Sequence, residues 1–133
     1  MEISLYEELI QRQLEAYNAK DIDALLATYS PDAQHFEIHG NLLASGHHEL
    51  RKRFLLRFEE PDLYATLLQR VIAGNFVVDH EIVTRTFPEG KGSIEMLCIY
   101  EIADGLIQRA SFKMSNKMLD AETNAEEMIN DSR

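Results

Sequence analysis

A chain of 133 residues, 45% hydrophobic and 27% charged, has the size and composition of one globular domain, which argues against disorder, a fibrous repeat or two domains. The formal net charge of −10 disfavours nucleic acid, because phosphate binding needs clustered Lys and Arg whose counterions are released on contact. No apolar run approaches the roughly 20 residues that span a bilayer, the start MEISLYEELIQRQ lacks the layout of a secretory signal, and the lone Cys98 cannot form an internal disulfide. No membrane partner and a cytoplasmic location are therefore expected.

Ser4 and Glu7 have the S-x-x-E spacing of a helix capping box, and Leu5, Leu9, Ile10, Gln13, Leu14 and Tyr17 recur at helical spacing. They predict a first helix over about residues 5–19. Asp21 caps a short second helix through IDALLATY, which Pro31 stops. HFEIHG, residues 35–40, alternates as an early strand, and a GN pair follows as a turn. Ser45 then opens a third helix, HHELRKRFLLRF, with Leu50, Phe54 and Phe58 every four residues. Arg51, Lys52, Arg53 and Arg57 read as a solvated face above that apolar stripe.

From Tyr64 the period becomes that of strands, in ATLLQRVIA, NFVVDHEIVTRTF, SIEMLCIYEI and LIQRASFKMS. Gly74-Asn75, PEGKG around Gly90, and Asp104-Gly105 mark the connections, so the last three strands form an antiparallel meander. Residues 116–133 are polar and acidic and read as a loose tail or marginal helix, leaving residues 1–115 as the domain. Helices first and a sheet afterwards describe an α+β fold with a pocket between its layers.

LEAYNAKDIDALLATYSPDA, then a strand, then SGHHELRKRF, resembles the opening of the nuclear transport factor 2-like superfamily, and QRASF resembles its closing strand. That superfamily includes ketosteroid isomerases and SnoaL-like polyketide cyclases. The resemblance covers roughly residues 4–115. It implies a cone: a curved, mixed, mostly antiparallel sheet wrapped around three N-terminal helices, enclosing a deep and mostly apolar cavity, usually in a homodimer and without a metal or other cofactor. Aligned on these landmarks with ketosteroid isomerase, Glu37 falls at the catalytic base and points into the cavity. Gln13 and Cys98 stand where that enzyme carries the Tyr and protonated Asp of its oxyanion hole. An amide can donate a hydrogen bond there, whereas a thiol is a feeble donor.

If Glu37 points inward, the two-residue period of a strand sends His35 and His39 to the same side. The same parity predicts inner faces made of Phe76, Val78, His80, Ile82 and Thr84, then of Ile94, Met96, Cys98, Tyr100 and Ile102, then of Gln108, Ala110 and Phe112. Apolar walls with a few polar groups suit a small, largely apolar ligand. His35, Glu37 and His39 have the composition of a 2-His-1-carboxylate metal set. Neighbours at i and i+2 on a flat strand lie about 6.5–7 Å apart, however, and converge poorly on one ion, so no metal is expected.

The favoured reading is a cofactor-independent acid/base enzyme of isomerase, cyclase or dehydratase type acting on a small carbonyl compound. In it Glu37 moves the proton, His80 orients it, Gln13 stabilises the enolate, and Tyr17 or Tyr100 offers a hydroxyl. The alternative is a non-catalytic ligand-binding or dimerisation module of the same fold, in which Glu37 and the histidines form a buried hydrogen-bonded cluster or line the cavity mouth. Leu97 and Ile99, on the opposite parity beside Glu95 and Glu101, predict a homodimer through the outer face of the sheet.

Overall fold

Two of the three helices begin where a side chain satisfies the first free amides. In the computed structural model, which describes residues 4–121, Ser4 Oγ accepts from the amides of Tyr6 at 3.1 Å and Glu7 at 3.4 Å and opens α1, Leu5–Asn18. Asp21 accepts from the Ala24 amide at 3.1 Å and opens α2, Ile22–Leu26. At α3, Gly46–Phe58, Ser45 makes no side-chain cap; instead Glu49 reaches back and accepts from the Ser45 amide at 2.8 Å. None of these helices is long and apolar enough to cross a membrane.

Six strands follow the helical pattern of the sequence only in part: β1 Tyr29–Glu37, β2 Leu42–Ser45, β3 Tyr64–Ala73, β4 Phe76–Phe87, β5 Gly90–Ala103 and β6 Leu106–Leu119. They form one sheet in the order β2-β1-β6-β5-β4-β3, antiparallel throughout except where β1 runs parallel to β6. This is the expected mixed, mostly antiparallel α+β architecture, with α1 lying on β3 and β4 and α3 on β1 and β2. Apolar side chains from both layers make the core. Ile10, Leu25, Tyr29, Leu50 and Ile107 fill one part, and Leu14, Leu63, Val83 and Ile94 the other; Tyr17, Phe58 and Met96 touch both.

Four details differ from the expectation. Helix α2 stops at Leu26, because Tyr29 pairs with Ile107 and buries its ring, so tertiary pairing overrides the helical run IDALLATY. Strand β1 therefore begins before HFEIHG, and it ends at Glu37, leaving His39 and Gly40 in the turn to β2. Residues 116–119, expected in the tail, continue β6, with Met118 beside Ser93 and Leu119 beside Gly92; residues 122–133 of that tail lie outside the described residues.

The fourth difference decides the site. Phe87 pairs with Gly90, so the β4–β5 hairpin turns on Pro88-Glu89 alone and not on a wider PEGKG loop centred at Gly90. A loop centred on Gly90 sets even residues of β4 opposite even residues of β5, whereas the tighter turn sets odd opposite even. Val77 thus faces Tyr100, Asp79 faces Cys98, Glu81 faces Met96 and Val83 faces Ile94. A one-residue slip exchanges the two faces of a strand. Val77, Asp79, Glu81 and Val83 are buried, and the expected inner set of Phe76, Val78, His80, Ile82 and Thr84 lies on the back. The next hairpin does turn on Asp104 and Gly105, whose φ angles of 54° and 73° suit the two central positions of a type I′ turn.

Candidate active site

Between the helices and the inner face of the sheet lies a cavity of about 80 Å³, space for several waters or a compact organic molecule. Helix α1 presents Gln13, Leu14 and Tyr17 to it, and α3 presents Arg53, Phe54 and Arg57. The strands add Tyr29 and His35 from β1, Glu81, Val83 and Arg85 from β4, Met96, Cys98 and Tyr100 from β5, and Phe112 and Met114 from β6.

Of the residues singled out in the sequence, Gln13, Tyr17, His35, Met96, Cys98, Tyr100 and Phe112 line this space. Glu37, His39, His80 and Gln108 do not. The β1–β2 register shifts between His35 and Phe36, and β1 ends at Glu37, so Glu37 leaves the inner row and lies exposed with its carboxylate accepting from Asn41 Nδ2 at 2.7 Å. His39 is exposed in the turn. His80, on the back of β4, has Nε2 3.1 Å from Glu95 Oε2 and cannot orient Glu37. Gln108 is displaced by the irregularity between Glu101 and Ile102, and its amide donates to the carbonyls of Ala103 at 2.8 Å and Leu106 at 3.4 Å. The expected row of His35, Glu37 and His39 is thus split, and among the described residues no three His, Cys, Asp or Glu side chains group to hold a metal ion.

The carboxylate that does face the cavity is Glu81, only 5% exposed. Burial pushes its pKa up to about 7, with the nearby charge of Asp79 adding to the rise. Cys98 Sγ, 3.8 Å from Glu81 Oε1, is its hydrogen-bonding neighbour, and burial raises that thiol well above its ordinary range, so it stays protonated. Asp79, two residues earlier on the same face and fully buried, is engaged by Arg70, whose Nε and Nη2 donate to its two oxygens at 2.7 and 2.9 Å. Arg70 Nη1 also donates to Gln11 Oε1 at 3.0 Å. One acid is locked in an ion pair, and the other is poised to exchange a proton near neutrality.

The same cavity wall carries buried polar atoms that meet no hydrogen-bond geometry. His35 is 1% exposed, its ring set edge-on among Tyr29, Phe54 and Phe112 with centroids 5.3, 5.2 and 4.9 Å away, and neither ring nitrogen makes a hydrogen bond. Burial, and secondarily the charge of Arg53, lowers its pKa to about 3, so the ring is neutral and carries one N–H donor. The buried Tyr29 hydroxyl also meets no hydrogen-bond geometry, although Gln13 beside it favours its charged form, and burial outweighs that and raises its pKa far enough to keep it a donor. Tyr100 Oη donates to Gln13 Oε1 at 3.4 Å. Buried polar groups are normally paired, so orphans on a cavity wall mark where a ligand or water makes the missing bonds.

Three arginines line the same space. Glu60 accepts from Arg85 Nε and Nη2 at 2.7 and 2.9 Å, from Arg57 Nη1 at 2.9 Å and from the Thr86 amide at 2.9 Å. Burial works against its charge, but these donors outweigh that and hold Glu60 at about 2.

The sequence profile of the SnoaL-like domain matches residues 10–110. The chain belongs to the SnoaL-like domain family. Among solved structures, a cystatin-fold protein from Novosphingobium aromaticivorans is similar at 21% identity over 84% of this chain and 99% of that one, with a TM-score of 0.75. A nuclear transport factor 2-like protein from Burkholderia pseudomallei is 15% identical over 85% and 92% of the two chains, with a TM-score of 0.74. A candidate polyketide cyclase from Sinorhizobium meliloti is 20% identical over 84% and 100%, with a TM-score of 0.67. No curated protein matches. At such identities the likeness carries the fold and not the chemistry.

Glu81, Tyr29, Arg53, Arg57 and Arg85 were not singled out as site residues from the sequence. A two-residue turn at Pro88-Glu89 would have revealed Glu81. Arg53 and Arg57 stand one turn apart beside Phe54 and Phe58, so they border the buried stripe where a solvated face was expected.

The two perturbed groups make opposite demands on stability. Glu81, raised from 4.5 to about 7, gives stability that is full below pH 4.5 and lost as pH rises toward 7, because the folded state keeps the proton longer. His35, lowered from 6.5 to about 3, gives stability that is full above pH 6.5 and lost as pH falls toward 3, because only the unfolded state takes the proton there. Between pH 4.5 and 6.5 they oppose each other. The Glu81→Gln variant should therefore gain stability with rising pH in that window, on the order of 1 kcal/mol per pH unit, relative to the wild type. Urea titrations at several pH values check this; parallel profiles for the two proteins would reject the assignment.

Proposed function

We propose that the chain is a cofactor-independent acid/base enzyme of isomerase, cyclase or dehydratase type for a small carbonyl compound, with Glu81 in the role expected of Glu37. One observation carries the reading: a buried carboxylate with a pKa of about 7 shares a mostly apolar cavity with donors that have no partner. As a carboxylate, Glu81 takes a proton from the carbon next to the carbonyl. The C–H electron pair moves into the carbon–carbon bond, and the carbonyl oxygen gains negative charge. The Tyr29 hydroxyl and the neutral His35 N–H are the donors that stabilise that charge. Return of the proton at another carbon completes an isomerisation; attack by the enolate carbon on a second carbonyl, whose oxygen then takes the proton from Glu81, completes a cyclisation, and loss of a β-hydroxyl as water with that proton completes a dehydration.

Exchange of α-hydrogens in deuterated water, followed by NMR over a panel of small enolisable ketones, tests the reading. Exchange that depends on Glu81 and is indifferent to Glu37→Gln is expected. The second reading, a binding module, is favoured by Cys98, a poor donor, at the expected oxyanion position; it predicts bound ketone without exchange.

The partner is proposed to be a second copy on the back of the sheet. Leu97 and Ile99 lie there half-buried, and Phe76 on β4 and Val71 on β3 beyond it are 39% and 50% exposed. Wild type is expected to sediment as a dimer at micromolar concentration and Leu97→Asp as a monomer, since a charge there would be buried without a partner. A dimer indifferent to the substitution places the contact elsewhere.

A further inference from the structure

Among the described residues, Arg53 is the cavity cation that no acid neutralises. Arg57 and Arg85 share Glu60, Arg51 bonds Asp23 at 3.0 Å, and Arg70 is held by Asp79. Arg53 lines the cavity, is half-buried, and makes no hydrogen bond or ion pair with any described residue. Its surroundings work against its charge, first through burial and then through the like charge of Arg57. A guanidinium does not escape by losing its proton, so a half-buried one without a counterion is a standing electrostatic cost that an anion would relieve. Across the space His35 is close enough to feel that charge, and both its ring nitrogens are unpaired.

We propose that the cavity takes an anionic substrate, a small carboxylic acid whose carboxylate is bound by Arg53 while its carbonyl end reaches Tyr29, His35 and Glu81. The inference rests on reading this cavity as the active site, and it names the substrate class. The fork of a guanidinium matches the two oxygens of a carboxylate. A phosphate, with more charge and a larger shell of oxygens, would find one uncompensated cation, mostly apolar walls, and a Glu81 whose own charge repels it. Phe54, Phe112, Met96 and Val83 suit instead an acid with an apolar or aromatic body. On this view the run RKRFLLRF supplies one arginine to the substrate and one to the Glu60 cluster.

Calorimetric titration of the full chain with acetate, benzoate and phenylacetate, each against its amide, and with inorganic phosphate, tests the proposal. At least one carboxylate should bind about tenfold or more tightly than its amide and more tightly than phosphate. Arg53→Gln should remove that preference, Arg53→Lys should keep a weakened one, and thermal melts show whether each variant is folded. Glu81→Gln should retain carboxylate binding while losing hydrogen exchange, so failure of the proton-transfer reading is told apart from failure of this one. No carboxylate binding, equal binding of acid and amide, tighter binding of phosphate, or a preference insensitive to both Arg53 substitutions would each overturn it.

Discussion

Replacing Glu81 by Gln is expected to lower turnover by about 10²- to 10⁴-fold, the usual contribution of a positioned general base. Gln keeps the shape of the side chain and a hydrogen-bond acceptor near Cys98 Sγ, so the fold and the cavity should survive. What it loses is the capacity to take a proton. In the wild type the carboxylate form carries the reaction, so kcat/KM should rise with pH through about 7 and then level. His35 adds no limb in that range, because burial holds its pKa at about 3. The Gln variant should show a low rate without that rise. Equal rates in the two proteins would remove Glu81 from the chemistry, whereas loss of activity in Glu37→Gln with Glu81→Gln active would return the role to the exposed carboxylate.

Asp79→Ala should cost about 3–5 kcal/mol of stability, the usual penalty for breaking a buried ion pair from one side. The Asp79 side chain is fully buried and that of Arg70 is 8% exposed, so removal of the acid strands a guanidinium with Gln11 as its remaining named partner. Urea denaturation of Asp79→Ala measures the loss. The double replacement Arg70→Met with Asp79→Leu should recover most of it, since apolar side chains of similar volume fill such a site without an unpaired charge. In a folded Asp79 variant the repulsion that helps to raise Glu81 is gone and the Arg70 charge is no longer balanced, so the kcat/KM midpoint should move below 7. A midpoint that stays in place would show that burial alone sets the poise of Glu81.

The fold was legible because many weak signals agree. Caps at Ser4 and Asp21, the stripe of Leu50, Phe54 and Phe58, β-branched strands and the Asp104-Gly105 turn all point to one arrangement. The site was legible where parity was anchored by apolar residues, as on β5, where Met96, Cys98 and Tyr100 face inward. It was hidden where both faces are equally apolar. In FVVDHEIVTRTF, Val77 and Val83 lie on one face and Val78 and Ile82 on the other, so hydropathy does not choose between Glu81 and His80. The choice is made by the length of a turn, and tolerance of two acids inside comes from Arg70, a residue on another strand. Nor does local pattern reveal the shift after His35 that takes Glu37 out of the cavity.

The parallel seam between β1 and β6 also fixes the order in which the protein can be built. His35 lies beside Ala110 and Glu37 beside Phe112, so the strand that carries His35 has no partner on that side until β6 has been synthesised. The β3–β4–β5 meander can pair as it emerges from the ribosome, whereas β1 must wait with one edge open, and such distant pairing is slow to form. Closure of that seam fixes His35 and Tyr29 on the cavity that Glu81 also lines. The cavity therefore cannot close before β6 has been made, and a nascent chain ending before β6 carries Glu81 without the seam that fixes β1, the strand of Tyr29 and His35.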